Sequence, residues 1–124
     1  MSAAGRLASG GAADGREAGV AVCVPWVANP FRGDKFEAAW LPAAEAALDF
    51  GATGWALLRS KDGMLDFVQW AFFPAKLDFE RYWYSEEISA AREGASGLFQ
   101  VPVLPVFYEI AGLGSLAPVP TSPD

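Results

Sequence analysis

The 124-residue sequence contains no histidine and a single cysteine, Cys23. The absence of histidine excludes the Ser-His and Cys-His pairs of nucleophilic enzymes, and it excludes zinc or haem held by histidine. One cysteine excludes a disulfide within the chain and a metal site built from several thiolates. We therefore predict that the protein uses no metal and no cofactor.

Basic residues are also scarce, because nine Lys and Arg stand against fifteen Asp and Glu and leave a net charge of −6. Binding to a phosphate backbone or to an anionic membrane needs clustered positive charge. The sequence has no apolar run of about 18 residues that could span a membrane, no apolar centre of a signal peptide and no glycine-rich phosphate loop. We predict a cytoplasmic protein that binds neither nucleic acid nor membranes.

Apolar residues, by contrast, are abundant: 52% of the sequence is hydrophobic and 14% is aromatic. This composition is typical of a folded chain and excludes wholesale disorder. Residues 1–19 are rich in Ala, Gly and Ser, residues 114–124 contain three prolines, and we predict that both segments form flexible tails. Residues 20–113 are predicted to form one domain.

Six segments of this domain show strand or helix patterns. β-branched and aromatic residues indicate strands, whereas apolar residues at near-helical spacing indicate helices. The predicted strands are 20–27, 55–60, 64–73 and 101–110, and the predicted helices follow Asp34 and Asp78. The β-α-β-β-α-β order is typical of the ferredoxin-like α+β fold, which has a four-stranded antiparallel sheet.

Both predicted helices carry signals at their ends. Asp34 and Glu37 have the spacing of a capping box, which predicts that the first helix begins with Asp34 as its N-cap. Pro42 predicts a kink or a restart in that helix. Ser85 predicts a second start within the second helix, which we expect to run to about residue 93.

Prolines restrict where two of the strands can lie. Pro102 and Pro105 have no N–H to donate to a neighbouring strand, so they favour an edge position or a bulge in the last strand. Pro25 lies in the first strand, which we expect to be central. The same reasoning therefore predicts a bulge at Pro25.

The predicted strands are apolar on both faces. A sheet with helices on one side and water on the other normally alternates apolar and polar residues. In segment 64–73 one face receives Leu65, Phe67, Ala71 and Phe73, and the other receives Met64, Val68, Trp70 and Phe72. Burying apolar surface is favourable by roughly 25 cal/mol per Å², so we predict that helices cover one face and a second subunit covers the other. The sequence thus predicts a homodimer.

These features resemble the dimeric α/β-barrel superfamily, and within it the antibiotic biosynthesis monooxygenase domain group. The resemblance covers residues 20–110 and rests on DKFEAAW (34–40), WALLRSKDGMLDFVQWAFF (55–73), FERYWYSEEISAARE (79–93) and VPVLPVFYEI (101–110). It implies a homodimer whose two sheets wrap into a barrel. It also implies a pocket in each subunit between the sheet and the helices.

The resemblance implies two kinds of activity. Some members of the group degrade haem with a histidine that binds the iron, and this sequence has no histidine for that role. Others oxygenate polyphenolic rings without a cofactor and use Asn, Trp, Tyr and Arg side chains around the substrate. Two hypotheses follow: a cofactor-independent monooxygenase-like enzyme that acts on an aromatic or polyketide-like small molecule, and a non-catalytic dimeric module that binds a hydrophobic metabolite or a protein partner.

Residues of these types form the predicted site. The predicted catalytic residues are Arg59, Trp70 and Tyr82, and the predicted substrate-binding residues are Trp26, Asn29, Trp55, Phe72 and Tyr108. Flat rings stack on an aromatic ligand, and indole N–H and phenol O–H groups orient its polar substituents. The alternative is packing in the core or an interface for the aromatic residues, a solvated surface position for Arg59 and a turn for Asn29.

Overall fold

The structure, a computed structural model, describes residues 10–13 and 19–116. The strands within these ranges are β1 (Gly10–Ala13), β2 (Val20–Val27), β3 (Gly54–Arg59), β4 (Asp66–Phe73), β5 (Val106–Glu109) and β6 (Leu113–Leu116). The helices are α1 (Gly33–Glu45), which continues as a 3-10 segment (Ala46–Phe50), α2 (Lys76–Trp83) and α3 (Glu86–Gly94).

The main sheet has four antiparallel strands in the order β3-β4-β2-β5. This order confirms the predicted ferredoxin-like α+β fold. A separate ladder pairs β1 with β6, with Gly10 opposite Leu116. This ladder lies largely in the two segments for which the sequence predicts tails. The sequence gives no sign of it, because the small residues of these segments carry no strand pattern. Residues 1–9, 14–18 and 117–124 of those segments lie outside the described residues.

The helices cover one face of the main sheet. The side chains of β2 and β4 that are buried on this face are Val22, Val24, Trp26, Phe67, Ala71 and Phe73. Phe36 and Trp40 of α1 and Phe79 of α2 complete the same core, because apolar residues three or four apart share one side of a helix. The predicted alternation of the two faces is therefore confirmed for β2 and β4.

The last strand is shorter than the predicted segment 101–110. β5 pairs with residues 20–23 of β2, and Ala28 pairs with Phe99 farther along. Between these points residues 100–105 lie opposite residues 24–27, so the β5 side has two extra residues. Pro102 and Pro105 lie in this bulged stretch at the edge of the sheet, where a missing N–H breaks no ladder.

Pro25 lies in a strand with regular pairing. The register of β2 with β4 is continuous from Val20 to Val27, with Pro25 opposite Val68. The predicted bulge at Pro25 is therefore wrong. Because β5 pairs only with residues 20–23, the ladder on the other side of β2 ends before it reaches Pro25.

The first turn of α1 differs from its prediction. The helix begins at Gly33 with Arg32 as its N-cap residue, and no side chain caps it. The predicted capping box is wrong, because the carboxylates of Asp34 and Glu37 bind Arg59 of β3 instead. Pro42 lies inside the helix, which ends at Glu45 and continues as the 3-10 segment.

α2 and α3 are two separate helices with Ser85 between them. The Ser85 hydroxyl accepts a hydrogen bond from the N–H of Ile88 at 3.2 Å. This side-chain cap confirms the predicted restart at Ser85. The break leaves Tyr82 and Trp83, at the end of α2, buried against the core.

Candidate functional site

A polar side chain lies at the centre of the aromatic core between the sheet and the helices. Gln69 of β4 is 1% exposed, and its Oε1 accepts hydrogen bonds from Trp26 Nε1 at 3.1 Å and Trp40 Nε1 at 2.8 Å. Its Nε2 donates to the Tyr82 hydroxyl at 2.9 Å. That hydroxyl donates in turn to the carbonyl oxygen of Ala43 at 2.7 Å. Gln69, Trp26, Trp40 and Tyr82 form a unit that we name the Gln69 hub.

The Gln69 hub is closed by its own packing. Trp26, Trp40 and Tyr82 are each exposed by 1% or less. The ring centroids of Trp26 and Trp40 lie 4.6 Å apart, and those of Trp26 and Trp83 lie 5.9 Å apart. Among the described residues, every buried side-chain N or O atom has a hydrogen-bond partner. The structure thus brings two predicted site residues, Trp26 and Tyr82, together inside a satisfied core network.

Sequence reasoning missed Gln69. It is the polar residue on the helix-facing side of β4, between Phe67 and Ala71. Buried indole and phenol groups need hydrogen-bond partners. A single amide on an apolar strand face, in a chain rich in Trp and Tyr, is the signal that points to such a hub.

Burial in the hub raises the pKa of Tyr82 to about 12. Between about pH 10, where an unfolded tyrosine titrates, and this value, the folded state keeps a proton that the unfolded state loses. We therefore expect the free energy of unfolding to fall as the pH rises through this window, by up to about 3 kcal/mol. Below about pH 10 Tyr82 is protonated in both states and does not make the free energy of unfolding depend on pH. Urea unfolding at a series of alkaline pH values measures the decline.

Two tyrosine variants separate this effect from general alkaline unfolding. Tyr82→Phe is expected to remove the decline, since the group that titrates is gone. Tyr84→Phe is the matched control, because Tyr84 is 74% exposed, and we expect it to keep the decline. Equal slopes in the two variants would contradict the assignment to Tyr82.

The face of the main sheet away from the helices is apolar and open. Asp66 lies at one end of this open face, and the apolar residues on it include Ala21, Cys23, Ala56, Leu58, Val68, Trp70, Phe72, Val106 and Tyr108. Trp70 lies in the middle, with Cys23 and Ala56 opposite it on the two neighbouring strands. The ring centroids of Trp70 and Tyr108 are 5.7 Å apart, and Tyr108 is 49% exposed. Three predicted site residues, Trp70, Phe72 and Tyr108, therefore share the open face.

Arg59 joins the end of β3 to the first turn of α1. Its Nη1 donates to Asp34 Oδ1 at 2.8 Å and to Glu37 Oε1 at 2.9 Å. The guanidinium carbon also lies 5.1 Å from the ring centroid of Phe67. The hydrogen bonds to the two carboxylates raise the pKa of Arg59. Because two negative charges already compensate this cation, Arg59 is poorly suited to stabilising an anionic substrate.

Arg59 also lines a surface cleft with a volume of about 760 Å³. Phe31 and Met64 line the cleft and are 97% and 79% exposed. Phe31 has a φ of +65°, in the region that favours glycine, and bulky residues rarely adopt it. The cleft is of a size that accommodates a small molecule.

The other two predicted site residues lie apart from these groups. Asn29 Nδ2 donates to the carbonyl oxygen of Gly97 at 2.7 Å, and the Asn29 carbonyl accepts the N–H of Arg32 at 2.9 Å, which makes a turn. Trp55 is half-buried and packs against the core from β3. In the described ranges, no group of three acidic or cysteine side chains is placed to hold a metal ion, and no helix is long and apolar enough to cross a membrane.

Comparison with known proteins identifies the fold. No family model matches the sequence, and no curated protein matches it. SnoaB from Streptomyces nogalater, a cofactor-independent oxygenase, is 15% identical with a TM-score of 0.62, over 85% of this chain and 97% of that one. A protein of Nitrosomonas europaea assigned as an antibiotic biosynthesis monooxygenase is 16% identical with a TM-score of 0.66, over 73% of this chain and 88% of that one.

A third similar structure is the Rv0793 protein of Mycobacterium tuberculosis, which is 18% identical with a TM-score of 0.62, over 83% of this chain and 97% of that one. At these identities the likeness establishes the fold. The chain has the ferredoxin-like fold of the antibiotic biosynthesis monooxygenase proteins, which confirms the predicted resemblance at the level of architecture.

Proposed function

We propose that this chain works as a homodimer joined through the open face, and that the dimer binds an aromatic or otherwise hydrophobic small molecule without transforming it. The observation that carries the proposal is the open face itself, which presents apolar side chains from all four strands, with Asp66 at one end, and which no helix of the described chain covers. Two such faces packed together exclude water from both, as in a dimeric α/β barrel. We place the dimer in the cytoplasm, where a lone thiol such as Cys23 stays reduced.

Two of the three predicted catalytic residues, Tyr82 and Arg59, are already engaged within the protein. The Tyr82 hydroxyl donates to Ala43 and its pKa is raised, so it is a poor proton donor or acceptor for a substrate. Arg59 is held by Asp34 and Glu37. This arrangement favours a binding module over an enzyme.

A second candidate function is cofactor-independent oxygenation of the bound molecule, supported by the likeness to SnoaB. In this reaction an ionised phenol passes an electron to O₂. One oxygen atom enters the oxidised ring carbon, and the other leaves as water with the two hydrogens of that carbon. In the space between two open faces, Trp70 Nε1 and the Tyr108 hydroxyl would hydrogen-bond the phenolate oxygen, and Phe72 would contact the ring.

Native mass spectrometry followed by an oxygen-uptake assay tests both candidates. We expect a mass of twice the 13.2 kDa chain, and binding of the polyphenol 1,8-dihydroxyanthrone without oxygen uptake above the uncatalysed rate. Oxygen uptake that Trp70→Phe abolishes would instead establish the second candidate. A monomer at micromolar concentration would contradict both, because both place the ligand in a dimer. Binding of a protein in place of the probe would contradict the small-molecule proposal.

A further inference from the structure

A second cleft, of about 420 Å³, lies on the helix side of the molecule. We name it the Arg92 cleft. It lies between α3 and the segment that leads to β5, and its lining includes Trp83, Ser89, Arg92, Phe99, Val101 and Val103. Because the rings of Trp83 and Phe99 contact the core from the helix side, the cleft is separate from the open face and from the cleft beside Arg59.

Arg92 is a cation without an ionic partner in the described part of the chain. Its Nη1 donates to the carbonyl oxygen of Trp83 at 2.8 Å, and its Nη2 makes a long hydrogen bond to the Ser89 hydroxyl at 3.4 Å. The guanidinium carbon lies 4.3 Å from the ring centroid of Trp83. Arg59 and Arg81, by contrast, each contact a carboxylate.

The environment of Arg92 compensates its buried positive charge only in part. Arg92 is half-buried, and burial lowers its pKa. A guanidinium has five N–H groups, and its hydrogen bonds to Trp83 and Ser89 leave others for a ligand. A charge withdrawn from water is costly unless an opposite charge and hydrogen bonds compensate it.

The lining of the cleft indicates which anion fits. The guanidinium fork matches a carboxylate with two parallel hydrogen bonds. Phe99, Val101 and Val103 offer apolar contact to the rest of the molecule. Glu93 also lines the cleft and brings one negative charge. Because Glu93 opposes multiply charged anions such as phosphate esters, a single carboxylate is the better match.

We propose that the Arg92 cleft binds a small monocarboxylate with an aromatic or branched apolar body, held by the guanidinium of Arg92 and the apolar wall of residues 99–103. This site goes beyond the function proposed above, because it uses neither the open face nor the Arg59 cleft. It also gives the charge of Arg92 and the apolar lining beside it a common role.

Isothermal titration calorimetry with 2-naphthoate and its neutral analogue 2-naphthamide tests the proposal on the full-length protein. We expect naphthoate to bind at least about tenfold more tightly than naphthamide, because only the carboxylate pairs with the guanidinium. Arg92→Gln should weaken naphthoate binding by about tenfold or more and leave naphthamide binding nearly unchanged. Arg81→Gln is the matched control, because Arg81 is exposed and lies outside the cleft lining, and it should change neither value.

A second variant guards against a folding defect, since Arg92 also contacts the end of α2. Ser96→Trp leaves Arg92 in place and fills the cleft from its exposed rim, so it should abolish the tighter binding of naphthoate over naphthamide. Circular dichroism of each variant checks that the fold is intact. Equal affinity for the two probes, unchanged naphthoate binding in Arg92→Gln or Ser96→Trp, or no binding at millimolar naphthoate would each overturn the proposal.

Discussion

Gln69→Leu is expected to lower the free energy of unfolding by about 3 to 5 kcal/mol. Leucine has a similar size but accepts no hydrogen bond, so Nε1 of Trp26 and Nε1 of Trp40 both lose their acceptor. Each of these donors is buried, and a buried donor without a partner costs about 1 to 3 kcal/mol. The Tyr82 hydroxyl also loses the hydrogen bond from Gln69 Nε2.

Urea unfolding followed by tryptophan fluorescence measures this loss. Protein concentration is kept constant, because the stability of a dimer depends on it. Gln100→Leu is the matched control: it makes the same chemical change at an exposed position, and we expect an effect within about 0.5 kcal/mol. If Gln69→Leu and Gln100→Leu lowered the free energy of unfolding equally, the loss could not be assigned to the hydrogen bonds of the Gln69 hub.

A double-mutant cycle with Trp40→Phe tests the hub more directly. Phenylalanine removes one of the two indole donors, so Gln69→Leu should cost less in the Trp40→Phe background than in the wild-type protein. The difference between the two costs measures the coupling of Gln69 to Trp40. Strict additivity of the two substitutions would contradict the hydrogen bond at 2.8 Å between them.

Trp70→Lys is expected to raise the dissociation constant of the proposed homodimer by about 30-fold or more. Trp70 lies at the centre of the open face, between Cys23 and Ala56, where a partner sheet would cover it. A lysine there places a charge in a desolvated apolar contact and removes a large ring. Central aromatic residues are the positions at which interface substitutions have their largest effects.

Sedimentation velocity over a dilution series measures the dissociation constant. Leu48→Lys is the matched control, because Leu48 is 47% exposed but lies in the 3-10 segment, away from the open face. We expect Leu48→Lys to leave the dimer unchanged. A dimer equally tolerant of both substitutions would show that the subunits meet elsewhere.

The alternation of apolar residues in the strands predicted the two faces of the sheet correctly, whereas the spacing of charged side chains did not predict their partners. The alternation of residues along β2 and β4 is set by backbone geometry, so the two faces follow from the sequence. Asp34 and Glu37 show the limit of such reasoning, because their spacing fits a local cap equally well. Arg59 lies more than 20 residues away and comes close because β3 packs against α1, and only its position decides whether the two carboxylates cap the helix or bind the guanidinium.

The candidate site was less predictable for a related reason. Side-chain type identifies Trp26 and Tyr82 as able to meet a ligand, but whether they do depends on what fills the space around them. Gln69 supplies their hydrogen-bond partner from within the core, and this contact links residues 43 and 13 positions apart. Arg92 shows the opposite case, because only the three-dimensional structure reveals that no carboxylate among residues 10–13 and 19–116 pairs with it.

The bulged, proline-bearing stretch before β5 has a consequence for how copies of this chain can aggregate. A regular edge strand with free N–H and C=O groups is a template onto which further chains add, edge to edge, without limit. Pro102 and Pro105 lack these donors, and the two extra residues around them spoil the regular spacing that such growth requires. The addition of a further chain to the β5 edge is therefore unfavourable. The proposed dimer through the open face would bury the apolar surface of both copies, which would favour a closed pair over an open-ended fibre.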